Sequence, residues 1–399
     1  MSKVVLKKGR EESLLRRHPW VFSGAIAGVE DEPVRGATVE IRANDGRILG
    51  RAAWSPHSQI SARVWSFDPG EQIDTEFFRR RLVRAFSARR PAQDAWGNGC
   101  GRLVYAEADG LPGIVVDRYA GFVVCQFLSA GAEFWRETIC GLIAELAPGV
   151  SIYERSDADS REKEGLEPRS GLIMGDEPPE LVEVDDGRFR FLVDIANGHK
   201  TGFYLDQREN RMAAAGLIES LRGSCDVLDC FSYTGSFTVA ALAGGASWVT
   251  AVESSPHAIE TARRNTALNG LDLSRVQFEE ENVFVYLRRC RDEGRTFGAV
   301  ILDPPKFAGS RGMVEAASRG YKDINLLAMK LLSPGGLLVT FSCSQHIGAD
   351  MFERILAFAA MDAGRDVQIV RHLRQAGDHP VALNFPESAY LKGAACRVW

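Results

Sequence analysis

Two positions late in the chain carry side chains that could do covalent chemistry. The run Asp303-Pro304-Pro305-Lys306 follows an apolar stretch at 296–302, and Cys343 follows another at 337–341. Proline fixes φ and has no amide hydrogen, so the Pro-Pro pair predicts a rigid turn that points the Asp303 carboxyl into a cleft. A cysteine thiolate can add to C6 of a pyrimidine, and an acid can hydrogen-bond or protonate N3. Such an addition makes C5 nucleophilic enough to accept a methyl group.

Both apolar stretches are predicted to be neighbouring strands of one open parallel sheet. Their carboxyl ends would then bring Asp303 and Cys343 to the same bound base. The alternative is that Cys343 is a buried core thiol, because free cysteine is among the most buried residue types. Cys230, earlier in the chain, is a rival nucleophile.

A predicted strand–turn–helix–strand unit at 225–253 supplies a second part of the site. Such units bind ligands outside the carboxyl ends of their strands. This unit contains neither G-x-G-x-x-G nor G-x-x-x-x-G-K-[ST], which disfavours dinucleotides and nucleoside triphosphates. Its elements are a strand at 226–229, a turn at 231–235, a helix at 236–242 and a strand at 248–252.

The turn has one glycine, Gly235, with Asp229 before it and Glu253 at the end of the next strand. This set suits a nucleoside without phosphates, because Glu253 can accept both ribose hydroxyls and Asp229 can hold an amino-acid tail. S-adenosylmethionine fits that description, whereas the alternative is an ordinary α/β crossover without a ligand. Cys230 would face the methionine end of the cofactor. The segment 197–208, with two glycines, a lysine and two aromatics, predicts a lip over the cleft.

Composition limits the remaining possibilities. At 399 residues the chain is too long for one core, which predicts two or three domains. The formal net charge is −5, yet residues 1–90 hold 17 Lys and Arg against 11 Asp and Glu. This asymmetry indicates either a local polyanion contact or a solvated basic helix. The eight cysteines form no C-x-x-C, and no leader or long apolar run is visible, so we expect no metal site, no membrane partner and a cytoplasmic protein.

The amino-terminal part predicts a small β-barrel or sandwich. The run 16–22 combines arginines with Trp20 and Phe22, as RNA-binding surfaces do. It could equally be a barrel corner with both aromatic rings in the core. Other predicted elements are strands at 36–41, 47–54 and 61–66, a basic helix at 71–90 leading to Pro91, and a second α+β unit at 92–180 with a helix at 133–146.

Eight motifs together resemble the bacterial 23S rRNA cytosine-C5 methyltransferases. They cover nearly the whole chain: R-R-H-P-W-V-F-S-G-A (16–25), A-E-A-D-G-L-P-G-I-V-V-D-R (106–118), G-H-K-T-G-F-Y-L-D-Q-R (198–208), V-L-D-C-F-S-Y-T-G (227–235), L-D-P-P-K-F (302–307), R-G-Y-K-D-I-N (319–325), T-F-S-C-S (340–344) and P-E-S-A-Y-L-K-G (386–393). The resemblance implies a PUA domain at 1–75, a helix and middle α+β domain at 76–183, and a class I S-adenosylmethionine-dependent methyltransferase domain with a Rossmann-like α/β sheet at 184–399.

The resemblance also implies roles for residues. Cys343 would be the nucleophile and Asp303 the acid beside the base, while Glu387 is a hypothesis for the base that removes the C5 proton, or else a surface acid. Asn282 stands where family members usually carry Asp next to the adenine, so which of its atoms makes that contact is open. The predicted cofactor-binding residues are Lys200, Phe203, Tyr204, Gln207, Asp229, Phe231, Ser232, Tyr233, Gly235, Glu253, Asn282 and Asp303; the predicted RNA-binding residues are Arg17, Trp20, Pro304, Pro305 and Lys306.

The expected reaction is S-adenosylmethionine-dependent methylation of C5 of a specific cytosine in 23S rRNA, free or in a large-subunit precursor, by a protein that could be a homodimer. Three alternatives stay open at this point. One is methylation of an exocyclic amine, although there the acid-Pro-Pro turn is usually followed by an aromatic residue and here Lys306 follows. The others are C5 methylation of uracil and an RNA-binding factor without catalysis.

Overall fold

The computed structural model describes residues 1–89, 97–221 and 224–399. The predicted end of the basic helix at Pro91 lies outside the described residues. The described chain divides into two compact units. Unit 1 comprises Met1–Asp185, Val193–Leu205 and Gly377–Ser388, and unit 2 comprises Asp186–Leu192, Asp206–Ala376 and Ala389–Trp399.

The helices and strands of the described residues follow in chain order. The helices are α1 Glu12–Leu15, α2 Thr75–Arg89, α3 Ala130–Phe134, α4 Arg136–Leu146, α5 Arg208–Glu219, α6 Ser236–Ala243, α7 Pro256–Leu268, α8 Val283–Asp292, α9 Val314–Leu331 and α10 Ala349–Ala363. The strands are β1 Lys3–Leu6, β2 Trp20–Phe22, β3 Ile26–Glu30, β4 Thr38–Arg42, β5 Ile48–Trp54, β6 Ile60–Ser66, β7 Cys100–Tyr105, β8 Ile114–Tyr119, β9 Phe122–Phe127, β10 Ser151–Ser156, β11 Arg169–Met174, β12 Val182–Asp185, β13 Arg190–Val193, β14 Asp226–Cys230, β15 Trp248–Glu253, β16 Val276–Glu280, β17 Phe297–Leu302, β18 Leu332–Ser342, β19 Val367–Arg374 and β20 Lys392–Val398.

Unit 1 contains two sheets. The first has the order β2-β6-β5-β4-β1-β3 and buries an aliphatic core around Val4, Val39 and Ile41, because alternate side chains of its strands point inward. Its β4–β5 hairpin turns at Gly46, whose φ of 89° is the left-handed conformation that glycine adopts easily. The second sheet has the order β11-β10-β9-β8-β7, and its core includes Phe77 of α2.

Unit 2 is a doubly wound sheet of the order β16-β15-β14-β17-β18-β20-β19. The first five of these strands are parallel, and β20 is inserted antiparallel between β18 and β19. The strand order reverses direction at β14, which places the ends of β14 and β17 at a topological switch point, where such sheets bind ligands. The predicted α/β class is confirmed for this part of the chain.

Two helical segments differ from the sequence-based expectation. The helix predicted at 133–146 is interrupted at Trp135, where α3 ends and α4 begins. Helix α8 was not predicted, because its first residues, Val283-Phe284-Val285-Tyr286, are β-branched and aromatic. Within the described residues, no helix is both long enough and apolar enough to cross a bilayer.

Candidate active site

Asp229 lies at the carboxyl end of β14 and is completely buried. The hydroxyl of Thr238 on α6 donates to its Oδ2 at 2.6 Å, while Oδ1 has no hydrogen-bond partner among the described residues. Burial raises the pKa of Asp229 to about 7, and the charges of Asp303 and Glu253 act in the same direction. A buried carboxylate with an unpaired oxygen is costly, so this position requires a hydrogen-bond donor or a cation from elsewhere.

The loop after β14 is held in an uncommon backbone conformation. Phe231, Tyr233 and Gly235 have φ values of 61°, 47° and 77°, so three of five successive residues are left-handed. A side chain at Gly235 would place its Cβ 2.8 Å from the Cβ of Ala262, which leaves no room for another residue type. Non-glycine residues in this region cost of order 1–3 kcal/mol each and cluster at ligand sites. The hydroxyl of Ser232 is buried and has no partner among the described residues.

Glu253 at the end of β15 has its carboxylate fixed by backbone amides. Its Oε2 accepts the amide of Tyr233 at 3.0 Å, and its Oε1 accepts those of Ser254 at 2.7 Å and Ser255 at 3.0 Å. Oε1 also accepts the Ser254 hydroxyl at 3.2 Å and is saturated, whereas Oε2 accepts one amide and keeps a lone pair for a further donor. Backbone amides of the loop after β14 and of the residues after β15 therefore fix the orientation of the Glu253 carboxylate.

Asn282 caps the amino terminus of α8. Its Oδ1 accepts the amide of Phe284 at 2.9 Å, and the residue is exposed. The cap uses one lone pair of the carbonyl oxygen, so both Oδ1 and the Nδ2 hydrogens stay suited to a ligand contact. An aspartate would cap the helix equally well but could offer no donor.

The ends of β17 and β18 lie side by side, with Leu302 paired to Thr340. The Sγ of Cys343 is 4.0 Å from the carbonyl oxygen of Pro304, so the thiol lies against the turn that carries Asp303. Asp303 is half-buried, whereas Pro305 and Lys306 are exposed beside the buried Pro304. The structure thus brings Asp303, Pro304 and Cys343 together.

Cys343 is the one cysteine of the eight that is not buried. Its partial exposure fits the nucleophile interpretation better than the core-thiol alternative. Cys230 is completely buried, and burial raises the pKa of its thiol well above the ordinary value. The rival thiol is therefore poorly suited to nucleophilic chemistry.

Sequence reasoning missed Lys392, the first residue of β20. Lys392 is paired with Ser342 of β18, and its Nζ donates to the carbonyl oxygen of Ser344 at 2.6 Å. Burial lowers the pKa of this lysine to about 8, while the Cys343 thiolate acts to raise it. A signal was present, since a lysine directly precedes the run Gly393-Ala394-Ala395-Cys396 and lies within the motif P-E-S-A-Y-L-K-G. Thr238, the partner of Asp229, carried no comparable signal.

The predicted lip residues fall in different units. Lys200, Phe203 and Tyr204 belong to unit 1, and Gln207 belongs to unit 2. The Lys200 Nζ lies 4.4 Å from the ring centroid of Tyr204, and Phe203 is buried. Gln207 is buried and accepts the side-chain amide of Asn210 at 2.6 Å. Their contact with a cofactor stays a prediction.

Arg17 and Trp20 lie in unit 1. Arg17 is exposed and left-handed, with φ of 62°. Trp20 is half-buried, its indole Nε1 donates to Glu107 at 2.9 Å, and the next aromatic residue, Phe22, is 49% exposed. A barrel corner with both rings in the core is therefore not what forms. RNA binding by these residues stays a prediction.

Glu387 belongs to unit 1 through the segment Gly377–Ser388. Its Oε2 lies 3.3 Å from the Nε2 of His18. This partner was not expected from the sequence, and the role of Glu387 as a base stays a prediction.

The unpaired polar atoms of unit 2 match the chemistry of S-adenosylmethionine. Asp229 Oδ1 offers an anionic acceptor for the ammonium of an amino-acid tail, and the Ser232 hydroxyl lies in the loop between Asp229 and Glu253. Glu253 offers an oriented oxygen, Oε2, for a hydroxyl donor. The described residues therefore fit this cofactor.

Comparisons with known proteins agree with this geometry. The family model for S-adenosylmethionine-dependent methyltransferases matches residues 167–383, and that for PUA-like domains matches residues 4–67. Two solved structures share the fold over the whole of both chains: a protein described as a SAM-dependent methyltransferase from Streptococcus mutans (21% identity, TM-score 0.85) and a methyltransferase complexed with SAH (22% identity, TM-score 0.86). These matches confirm the predicted fold class and the predicted cofactor. The domain boundaries at 1–75, 76–183 and 184–399 stay predictions.

Curated relatives narrow the family. Proteins named ribosomal RNA large subunit methyltransferase I are 54% identical in Aeromonas salmonicida (99% of this chain, 98% of the relative) and 50% identical in Escherichia coli (99% of each chain). A relative of the same name from Shewanella amazonensis is 51% identical over 100% of this chain and 99% of its own length. The resemblance drawn from the motifs is thereby confirmed at the level of a ribosomal RNA large subunit methyltransferase. The chain belongs to the S-adenosylmethionine-dependent methyltransferases, in the family of ribosomal RNA large subunit methyltransferase I.

Proposed function

We propose that this protein transfers a methyl group from S-adenosylmethionine to C5 of a cytosine in 23S ribosomal RNA of the large subunit. The observation that carries the proposal is the half-exposed Cys343 thiol against Pro304, in the turn that begins with Asp303. The relatives' shared name supports the RNA class, and the basic, aromatic run of Arg17 and Trp20 supports an RNA contact in unit 1.

Carbon methylation explains why a thiol is needed. C5 of cytosine is a poor nucleophile, so the ring must first be activated, whereas an exocyclic amine needs no such adduct. Cys343 supplies the activation by adding to C6, which moves electron density to C5 and the N3 side of the ring. Asp303, as a protonated carboxyl, donates a hydrogen bond to N3 and stabilises the charge that develops there.

Residues of unit 2 position the cofactor for this reaction. Asp229 would hold the ammonium of its amino-acid tail, the loop that contains Ser232 and Gly235 would surround the tail, and Oε2 of Glu253 would accept a ribose hydroxyl. The side-chain amide of Asn282 would contact the adenine. S-adenosylmethionine, when bound, supplies an electrophilic methyl group. Glu387 is proposed as the base that removes the C5 proton before Cys343 leaves C6.

The proposal is tested by trapping the adduct. Incubation of the protein and S-adenosylmethionine with large-subunit RNA that contains 5-fluorocytosine should give a covalent complex, because fluorine at C5 cannot leave as a proton. Peptide mapping should locate the link at Cys343, and the Cys343→Ala variant should give no complex. RNA that contains 5-fluorouracil serves as the matched control for the base.

The outcomes separate the alternatives. A complex formed with 5-fluorouracil instead would indicate uracil methylation. Methyl transfer without any trapped complex would indicate methylation of an exocyclic amine. Absence of both transfer and S-adenosylmethionine binding would leave an RNA-binding factor, and each of these three results would overturn the proposal.

A further inference from the structure

Lys392 is a charged residue that the proposed reaction has not yet used. It opens β20 directly opposite Ser342, the residue before Cys343, so the ladder between β18 and β20 fixes its distance from the nucleophile. Its Nζ donates to the carbonyl of Ser344, the residue after Cys343, at 2.6 Å. The backbone of Lys392 thus lies opposite the residue before the cysteine, and its ammonium binds the carbonyl of the residue after it.

The surroundings of Lys392 make its charge significant. The side chain is half-buried, and withdrawal from water lowers the pKa of its ammonium to about 8, while the negative charge of a Cys343 thiolate raises it. Such an amine is mostly protonated at pH 7 and yet exchanges its proton readily near neutral pH. A cation close to a thiol also favours the thiolate, which is the reactive form.

Other titratable groups lie on the elements around this pair. Tyr321 of α9 donates to or accepts from the Ser344 hydroxyl at 3.0 Å, and burial raises the pKa of its phenol, so it stays neutral near pH 7. Arg374 of β19 is paired with Lys392 across the sheet and is exposed. Asp303 directly follows the neighbouring β17. Among these groups, Lys392 is the cation whose charge can change with the state of the thiol.

We propose that Lys392 is the ionic partner of Cys343: its positive charge favours the thiolate that attacks cytosine and stabilises the thiolate that leaves at the end of the reaction. This assignment deepens the proposed function and depends on it for its catalytic meaning. The thiol proton passes to water, which leaves a thiolate beside the ammonium of Lys392. The thiolate then forms the bond to C6. When that bond breaks at the end of the reaction, the electron pair returns to sulfur, the ammonium stabilises the thiolate, and water returns the proton.

The resting thiol provides a test that needs no RNA. The full-length protein is treated with iodoacetamide across pH 5.5–10, and the rate of alkylation of the Cys343 peptide is followed by mass spectrometry. The other seven cysteines are buried, which favours selective labelling of Cys343. We expect the wild-type midpoint to lie below about 8.5, the value of an ordinary thiol.

Three variants separate charge from structure. Lys392→Gln keeps a hydrogen-bond donor for Ser344 but removes the charge, so alkylation at pH 7 should slow by about tenfold, or one pH unit of midpoint. Lys392→Arg keeps the charge and should restore most of the rate. Lys330→Met, which removes an exposed lysine at the end of α9, should show the wild-type alkylation rate at every pH.

Two results would overturn the inference. One is a Lys392→Gln protein with wild-type thermal unfolding and an unshifted midpoint. The other is a Lys392→Arg protein that is folded but as slow as Lys392→Gln, because then the positive charge is not what acts. Failure of the proposed function can be distinguished from failure of this inference. If the alkylation midpoint shifts in Lys392→Gln but the wild type forms no 5-fluorocytosine adduct, the ion pair is supported and the cytosine reaction is contradicted.

Discussion

Two strand ends of unit 2 carry a cysteine, and their surroundings differ. Cys230 at the end of β14 packs into the apolar core beside Val252 and Leu302, where burial keeps its thiol protonated. Cys343, just past the end of β18, is half-exposed and lies close to the charge of Lys392. The same residue type, at the carboxyl ends of two strands of one sheet, is thus shielded from solvent in one place and accessible in the other.

The difference follows from the alternation of side chains along a strand. On β14 successive residues face opposite sides of the sheet, and the helix-lined core takes Leu228 and Cys230. Asp229 consequently faces the other side, where Thr238 meets it. Strand β18 ends at Ser342, so the alternation of side chains between the two faces no longer determines the direction of the Cys343 side chain. A position at a strand end is therefore not sufficient to make a cysteine reactive. The exposed fraction of its side chain and the charges near its sulfur determine the reactivity.

The largest expected effect comes from replacing the sulfur at each of the two ends. Cys343→Ser should lower the rate of methyl transfer by about 10⁴-fold or more, because a hydroxyl does not ionise to an attacking nucleophile near pH 7. Cys230→Ala should keep the rate within about threefold and lose only on the order of 1 kcal/mol of stability. The measurement is single-turnover transfer of labelled methyl from S-adenosylmethionine to large-subunit RNA.

The reverse outcome would end the comparison. If Cys230→Ala were inactive while Cys343→Ser remained near the wild-type rate, with both proteins folded and still binding S-adenosylmethionine, the nucleophile would be the buried thiol. The proposed geometry around Pro304 would then have no catalytic meaning.

Elements with local signals were predictable from the sequence. Helix α7 (Pro256–Leu268) has a clear start signal in the sequence, because Ser255 caps it by accepting the amide of Ala258 and proline is favoured in the first turn. Helix α8 shows the limit: its buried residues Val283, Tyr286, Leu287 and Cys290 have helical spacing, but their β-branched and aromatic types favour a strand.

The site was predictable in its strand ends but not in its supporting contacts. Asp229, Glu253, Asp303 and Cys343 each follow or end an apolar run, which the sequence displays directly. Lys392 is brought to Ser344, 48 residues earlier in the chain, by the antiparallel pairing of β18 and β20. Long-range pairing of this kind has no local signature, so the charge beside the nucleophile emerges only from the fold.

The second largest effect is expected from replacing Asp229, the acid at the carboxyl end of β14. Asp229→Asn should weaken S-adenosylmethionine binding by roughly 10- to 100-fold, because a charge-assisted contact with an ammonium is lost. With the pKa of Asp229 at about 7, wild-type affinity should increase as pH rises from 6 to 8, since the ligand-free carboxyl ionises over this range. The amide that replaces the carboxyl cannot ionise, so the variant should lack this pH dependence. Isothermal titration calorimetry at several pH values measures both effects.

Stability of the cofactor-free protein checks the same assignment independently. A carboxyl whose folded pKa is raised costs stability as pH increases from its unfolded value, near 4, to its folded value, near 7. Relative to the wild type, Asp229→Asn should therefore gain thermal stability progressively over that window and show no further gain above it. A difference that does not vary between pH 4 and pH 8 would mean that Asp229 is ionised in the folded protein throughout.

The smallest expected effect concerns the backbone of the loop that follows β14. Gly235→Ala should destabilise the protein by about 1–2 kcal/mol, because φ is 77° and the new Cβ would approach Ala262 within 2.8 Å. Since the strain is confined to the loop after β14, cofactor affinity should fall while the alkylation rate of Cys343 stays at the wild-type value. Gly245→Ala, also left-handed at φ of 86° but with nothing within 4 Å of the new Cβ, is the matched control for conformation without steric contact. If both variants lost equal stability, φ alone would explain the loss, and the close packing of the loop against α7 would contribute nothing.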